Sequence, residues 1–149
     1  MKTRFIMGDV DPEAYKVMFG LEGYVSHSSI DKKMLELIKI RASQINGCAF
    51  CIDMHTRDAR KNGESEERIY ALNAWRETDF YTDKERAVLA LTESITLVSE
   101  KHVPDDVYDG VKNLYSEKEI SELIMSIITI NAWNRIAIAT RMMPMKNEQ

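Results

Sequence analysis

The chain has 149 residues, of which 44% are hydrophobic and 30% charged, as in a single soluble globular domain rather than a disordered segment. Its formal net charge is −4, with lysines and arginines scattered between acids, so no basic surface for a nucleic acid is expected. Residues 1–9 contain no apolar stretch typical of a secretory signal. The most apolar stretch, 120–143, carries Glu122 and Arg135, which makes it too polar for a membrane span. We therefore expect a cytoplasmic protein.

Helical spacing of apolar residues dominates the chain, and no alternating strand pattern is present. The first clear stripe begins behind Asp31 and consists of Met34, Leu37, Ile38, Ala42 and Ile45. Asn46-Gly47 is expected to end this helix. A second helix is expected from about Cys48 to Asn62, with Gly63 as a left-handed cap.

Capping signals mark the later helices. Ser65-Glu66-Glu67 opens a short helix that should include Ile69, Leu72 and Trp75. Capping boxes are predicted at 82–85 and 116–119, and Pro104 is predicted at a first helical position. The final helix is apolar on more than one face, and a second subunit would cover the surplus. The sequence thus predicts an all-α fold of six or seven helices, in one domain over 1–149, that forms a homo-oligomer.

Two cysteines and a histidine form the pattern with the clearest chemistry. Cys48, Cys51 and His55 are spaced i, i+3 and i+7, so a helix places them on one face. In a reducing compartment such a pair is more often catalytic or metal-binding than a structural disulfide. This spacing predicts a thiol site.

The sequence offers two ways to activate a thiolate at this site. A position near the helix N-terminus favours Cys48, but an exposed helix end supplies only about 0.3–1 kcal/mol. Ionising half of an ordinary thiol at pH 7 needs about 2 kcal/mol, so a basic partner is required. His55 is one helical turn from Cys51 and two turns from Cys48. We therefore predict that Cys51 is the nucleophile and that Cys48 resolves the intermediate.

The run from Glu36 to His55 resembles the core of the carboxymuconolactone decarboxylase and alkylhydroperoxidase-D-like superfamily. The spacing that carries the resemblance is a glutamate, a CxxC pair twelve residues later, and a histidine four residues after the second cysteine. The segments 85–93 and 131–137 also resemble this superfamily, so the similarity covers about 30–140.

This resemblance implies an all-helical fold that assembles into trimers or hexamers and a peroxidase activity. It implies that Glu36, Cys48, Cys51 and His55 form a proton-relay site, with Cys51 peroxidatic, Cys48 resolving and His55 helping to deprotonate Cys51. The proximity of Glu36 follows from the resemblance alone. Some members carry a histidine where this chain has Phe50, which removes a relay group and favours an apolar substrate.

The expected cycle reduces a hydroperoxide, forms a disulfide and ends with an external dithiol reductant protein. No Gly-rich phosphate loop occurs, so no cofactor is expected. Three alternatives remain open: a general thiol–disulfide oxidoreductase, a non-redox lyase or decarboxylase, and a redox sensor whose cysteines, with His55 and Glu36, bind a metal. His27 and His102 are interpreted as surface residues.

Overall fold

The computed structural model describes residues 1–145, and every regular element in that range is helical. In chain order the elements are α1 (Met7–Val10), α2 (Pro12–Ser26), α3 (Lys32–Asn46), α4 (Ala49–Lys61), α5 (Glu66–Ala71), a 3-10 helix (Leu72–Glu77), α6 (Asp83–Thr96), α7 (Val98–Lys101), α8 (Asp105–Lys112) and α9 (Glu117–Thr140). The predicted all-helical fold is confirmed.

The predicted number of six or seven helices is wrong, because the described residues form nine α-helices and one 3-10 helix. Two of the helices, α1 and α7, have only four residues each, too few to show a helical period. Helix α2 buries Met18 and Val25 but exposes Val17 and Phe19, so its apolar residues do not form one stripe.

The boundary between α3 and α4 lies where the sequence predicts it. Asp31 caps α3 by accepting hydrogen bonds from the backbone N–H groups of Lys33 and Met34. Gly47 ends α3 with φ of 68°, in the left-handed region that residues with a Cβ avoid. Cys48 is the N-cap residue of α4, and the cysteines therefore follow a sharp turn at the start of a helix.

Both predicted capping boxes are present, at the starts of α6 and α9. The prediction for Pro104 is wrong by one residue. With ψ of 150°, Pro104 is extended and precedes α8, which begins with Asp105 and Asp106. The two acids then occupy the first turn, where the helix dipole stabilises negative charge.

Helix α3 lies at the centre of the fold and packs against α4, α6 and α9. Its side chains are buried on nearly every side, with Leu37, Ile38 and Ile40 completely inaccessible. Burial of each of these three side chains stabilises the folded state by about 1.5–3 kcal/mol. The fold is therefore organised around the helix that precedes the CxxC turn.

Helix α9 packs against α2, α3, α4, α6 and α8. By length and composition alone it could cross a membrane, since an 18-residue stretch of it has a mean hydropathy of 1.3. Half of that stretch, however, is buried inside the protein. Its outer side exposes Ile128 and Ile138. The oligomer that would cover such residues stays a prediction, as does the single domain over 1–149, whose last four residues lie outside the described range.

Candidate active site

The two cysteines lie side by side at the start of α4. A hydrogen bond joins their Sγ atoms at 2.6 Å, and both are free thiols. Cys48 is 1% exposed and Cys51 is 2% exposed. The two sulfurs are thus close enough to form a disulfide once an oxidant removes two electrons and two protons from the thiols.

The two thiols do not titrate independently, because a hydrogen bond joins their sulfurs. The hydrogen bond from Cys51 lowers the pKa of Cys48 from 9.0 to about 7, although burial opposes this. The same hydrogen bond raises the pKa of Cys51, and burial and the charge on Cys48 raise it further. One proton therefore leaves the pair easily, and the second is retained.

His55 and Glu36 form a buried pair across α4 and α3. Nδ1 of His55 lies 2.9 Å from Oε2 of Glu36, and the two residues are 6% and 8% exposed. When Glu36 is ionised, Nδ1 of His55 carries the ring hydrogen and donates it to the carboxylate, which leaves Nε2 as the basic atom of the ring. The structure thus brings together the two residues whose proximity the sequence resemblance implied.

A second polar group, formed by Lys39, Glu22 and Trp133, lies next to Glu36 and was not predicted from the sequence. Nζ of Lys39 donates a 2.7 Å hydrogen bond to Oε1 of Glu22 and lies 3.9 Å from Oε1 of Glu36. Nε1 of Trp133 donates to the other carboxylate oxygen of Glu22 at 3.2 Å. The available signal was Lys39 itself, a cation between the apolar residues Ile38 and Ile40 of α3.

Asn134 of α9 lies on the far side of the cysteines and is completely buried. Its Nδ2 donates to Oγ of Ser43 at 2.9 Å, and its Oδ1 accepts from Nδ2 of Asn46 at 2.9 Å. The amide of Asn134 also lies close enough to the sulfurs to lower the pKa of both Cys48 and Cys51. The structure therefore adds Asn134 to the residues that influence the reactive pair.

A cavity of about 370 Å³ opens onto this site. Its polar lining includes Cys51, His55, Glu36, Lys39, Glu22 and Asp58, and its apolar lining includes Tyr15, Phe19, Phe50, Met54, Trp133, Ala137 and Met142. Cys48 is not among the lining residues. The cavity therefore gives a small molecule access to Cys51 but not to Cys48.

Three of the lining residues could hold a cation. Ligand atoms of Glu36, His55 and Asp58 lie within 4.8 Å of one another. The metal site considered from the sequence used both cysteines together with His55 and Glu36. The group found within residues 1–145 contains neither cysteine and adds Asp58 instead. The ammonium group of Lys39 lies beside Glu36 and competes with a cation there. His27 and His102 are exposed, as expected.

Comparison with known proteins places the site in a family. The carboxymuconolactone decarboxylase family matches residues 12–94, more than half of the chain. The chain is 52% identical over 139 residues to the uncharacterized protein YdfG of Bacillus subtilis, covering 93% of this chain and 95% of that protein. A solved structure from Agrobacterium tumefaciens, a protein of unknown function proposed to be an antioxidant defence protein AhpD, superposes with a TM-score of 0.96 at 40% identity, covering 98% of this chain and 100% of the other.

A shorter match includes a protein named for an activity. The chain is 36% identical over 47 residues to the alkyl hydroperoxide reductase AhpD of Hyphomonas neptunium, which is 32% of this chain and 26% of that protein. The resemblance drawn from the sequence is confirmed, and the relatives support a peroxidase-related role at the level of the family.

Proposed function

This chain belongs to the carboxymuconolactone decarboxylase family, and we propose that it is a thiol-dependent peroxidase that reduces hydroperoxides through a Cys51–Cys48 dithiol/disulfide cycle. The observation that carries the proposal is the shared cavity: Cys51 and His55 line it, and Cys48 lies directly behind Cys51. A peroxide that enters the cavity therefore contacts the sulfur of Cys51 and the imidazole of His55. The sulfur of Cys48 is within reach of Cys51 for the later formation of a disulfide.

Access, and not acidity alone, assigns the attacking role to Cys51. The lower pKa belongs to Cys48, but a thiolate that a peroxide cannot reach does not react. Because the two sulfurs share a hydrogen bond, a small proton movement from Cys51 to Cys48 transfers the negative charge to Cys51. His55, one turn away on the same helix, can accept the same proton, and Glu36 stabilises the imidazolium that results.

In the first step the Cys51 thiolate attacks the terminal oxygen of the hydroperoxide. A sulfur–oxygen bond forms, the oxygen–oxygen bond breaks, and the sulfur is oxidised to a sulfenic acid. The departing alkoxide takes a proton from the relay and leaves as an alcohol. His55, held by Glu36, is the group in the cavity that can donate this proton.

In the second step Cys48 attacks the sulfenic sulfur of Cys51. A disulfide forms, and the hydroxyl group leaves with one proton as water. Two electrons and two protons must then come from an external dithiol, which attacks the disulfide by exchange. The partner is accordingly a dithiol reductant protein, which fits a cytoplasmic location.

The alternatives from the sequence analysis differ in which residues they need. A general thiol–disulfide oxidoreductase would use both cysteines but would not need the cavity. A non-redox lyase or decarboxylase would need the cavity but neither sulfur, and a metal-binding sensor would lose thiol reactivity when loaded. The CxxC pair beside a cavity that holds a basic histidine is best explained by the peroxidase.

The proposal is tested by a stopped-flow single turnover with reduced protein and excess cumene hydroperoxide. Wild type should lose two thiols, Cys48→Ser should accumulate a trappable sulfenic acid, and Cys51→Ser should react no faster than free cysteine. His55→Gln should slow the reaction, whereas His27→Gln, which changes an exposed histidine, should not. Equal reactivity of Cys51→Ser and wild type would contradict the proposal.

We also propose a trimer or hexamer, as the resemblance of the sequence to the superfamily implies. The exposed apolar residues of α2 and α9, among them Val17, Ile128 and Ile138, are the surface that such an assembly would cover. Light scattering on the purified protein measures the oligomeric state directly, and a monomer at micromolar concentration would overturn this proposal.

A further inference from the structure

The cavity beside Cys51 has an apolar wall and an acidic lining. The cycle proposed above gives no role to the apolar wall, and among the acidic residues it gives a role only to Glu36. We define the aromatic wall as Tyr15, Phe19 and Trp133. We propose that this cavity selects neutral hydroperoxides that carry one aromatic or branched hydrocarbon group and rejects hydroperoxides that carry a carboxylate. This inference rests on the proposed peroxidase function and names its substrate class.

The aromatic wall is a preformed apolar surface. The ring centroids of Tyr15 and Phe19 are 5.1 Å apart, those of Tyr15 and Trp133 are 5.3 Å apart, and those of Phe19 and Trp133 are 5.8 Å apart. All three pairs meet edge to face, which is a favourable arrangement for aromatic rings. The wall is therefore held by its own contacts and offers a substrate an apolar surface without having to be rearranged.

The size of the cavity limits the substrate to a small molecule. Ligand cavities range from about 300 to 1,000 Å³, and this one, at about 370 Å³, is near the lower end. A single substituted ring fits such a volume. Phe50 and Met54 of α4 add further apolar lining next to Cys51.

The charge of the lining disfavours an anion. Three lining residues carry carboxylates, Glu22, Glu36 and Asp58, and the lining within residues 1–145 includes one ammonium group, that of Lys39. This ammonium is already 2.7 Å from Glu22 and 3.9 Å from Glu36. A carboxylate on the substrate would therefore find no unpaired cation and would be repelled by the acids.

The two features together orient the substrate. The hydroperoxide group must reach Cys51 and His55 of α4, and the hydrocarbon group then lies along the aromatic wall of α2 and α9. Glu22 is adjacent to this wall, because it accepts the indole N–H of Trp133. A carboxylate at the far end of an aromatic substrate would thus be brought close to Glu22.

The test compares two substrates that differ only in charge: the para-carboxamide and the para-carboxylate of cumene hydroperoxide. Single-turnover rate constants for thiol loss are measured at pH 7.5. Hydrogen peroxide, which carries neither a hydrocarbon group nor a charge, is the third substrate. We expect the carboxamide to react at least about tenfold faster than the carboxylate in wild type. In Glu22→Gln and Asp58→Asn this ratio should fall at least about threefold, by removal of one repelling charge.

Two control variants isolate the cause. Glu13→Gln removes the same charge from the same helix as Glu22→Gln, but its side chain is exposed and does not line the cavity. It should leave the ratio at the wild-type value. Phe19→Ala should reduce the preference for cumene hydroperoxide over hydrogen peroxide about tenfold, whereas Tyr70→Ala, which truncates an exposed aromatic residue outside the cavity, should not.

The outcomes separate this proposal from the peroxidase function itself. Equal rates for carboxamide and carboxylate in wild type would overturn the selectivity while leaving the peroxidase in place. A ratio that Glu22→Gln and Asp58→Asn do not change would overturn its electrostatic cause. If hydrogen peroxide and both cumene derivatives all react as slowly as with free cysteine, the peroxidase function fails, and the selectivity fails with it.

Discussion

Nδ1 of His55 lies 2.9 Å from Oε2 of Glu36, and the two side chains come from consecutive helices that pack against each other, α4 and α3. The pair is buried, so the carboxylate keeps its orientation toward the ring and stabilises the positive charge that forms when His55 accepts a proton. In the proposed cycle this histidine accepts the proton of Cys51 before the attack and later donates it to the alkoxide.

Replacing Glu36 with glutamine tests this relationship. Glutamine keeps the shape and one hydrogen bond but loses the charge, so it should slow peroxide-dependent thiol loss about 10- to 100-fold. This is less than the roughly 10²- to 10⁴-fold contribution of a general acid–base group, because His55 itself remains. The pH profile should also change, because the imidazolium is no longer stabilised. Stopped-flow rates from pH 6 to 9 measure both effects, and Glu13→Gln is the matched control on an exposed glutamate. An unchanged rate and pH profile would remove Glu36 from the mechanism.

The shared proton of the cysteine pair should be visible as a single titration. In reduced protein we expect one thiolate to form with an apparent pKa of about 7, because the hydrogen bond from Cys51 stabilises ionised Cys48. In Cys51→Ala this donor is removed, and the pKa of Cys48 should rise. Thiolate absorbance or iodoacetamide labelling against pH provides the measurement. Two thiols that both ionise near pH 9 would contradict the predicted sharing.

The same titration should make stability depend on pH. The pKa of Cys48 is about 7 in the folded protein and 9.0 ordinarily, so between these values the unfolded chain binds more protons. The free energy of unfolding should therefore rise between pH 7 and 9, and this contribution is lost as the pH falls through 7. Above pH 9 the raised pKa of Cys51 acts in the opposite direction. Urea unfolding under reducing conditions, compared with a Cys48→Ser/Cys51→Ser double variant, isolates the effect.

Two asparagines of α9 provide a matched comparison. Asn134→Leu should raise the pKa of the cysteine pair, since it removes a donor to the sulfurs, and should destabilise the protein by about 1–3 kcal/mol, since Asn46 and Ser43 lose a partner. Asn131→Leu should destabilise comparably, because Asn131 donates to Oγ1 of Thr96, but should leave thiol titration unchanged. Urea unfolding and thiolate titration on both variants distinguish the two roles. Equal titration in the two variants would assign Asn134 a purely structural role.

The turn before Cys48 can be tested through its glycine. Gly47 has φ of 68° and no atom within 4 Å of an added Cβ, so Gly47→Ala should cost about 1–2 kcal/mol through backbone strain alone. Gly110, inside α8 and equally open, is the control, and Gly110→Ala should stabilise by about 0.5–1 kcal/mol. Thermal unfolding of both variants measures the difference. A neutral Gly47→Ala would mean that the turn tolerates another conformation.

Local signals in the sequence determined much of the fold. The start of α3 at Asp31, its end at Gly47 and the two capping boxes depend on residues within four positions of one another, so they could be predicted before any tertiary contact was known. The same holds for Cys48, Cys51 and His55, because one helix sets their spacing. The four-residue helices were missed because a single turn has no period.

Only the tertiary structure decided which residues surround the sulfurs. The packing of α3 on α4 brings Glu36 to His55, 19 residues away. Helix α2 brings Glu22 to Lys39, and α9 brings Trp133 to Glu22, across separations of 17 and 111 residues that helical periodicity does not report. The difference between the two cysteines has the same origin. The two cysteines lie side by side at the start of α4, but the cavity that exposes Cys51 is formed partly by other helices, as is the site of Asn134. The docking of those helices depends on the whole buried core.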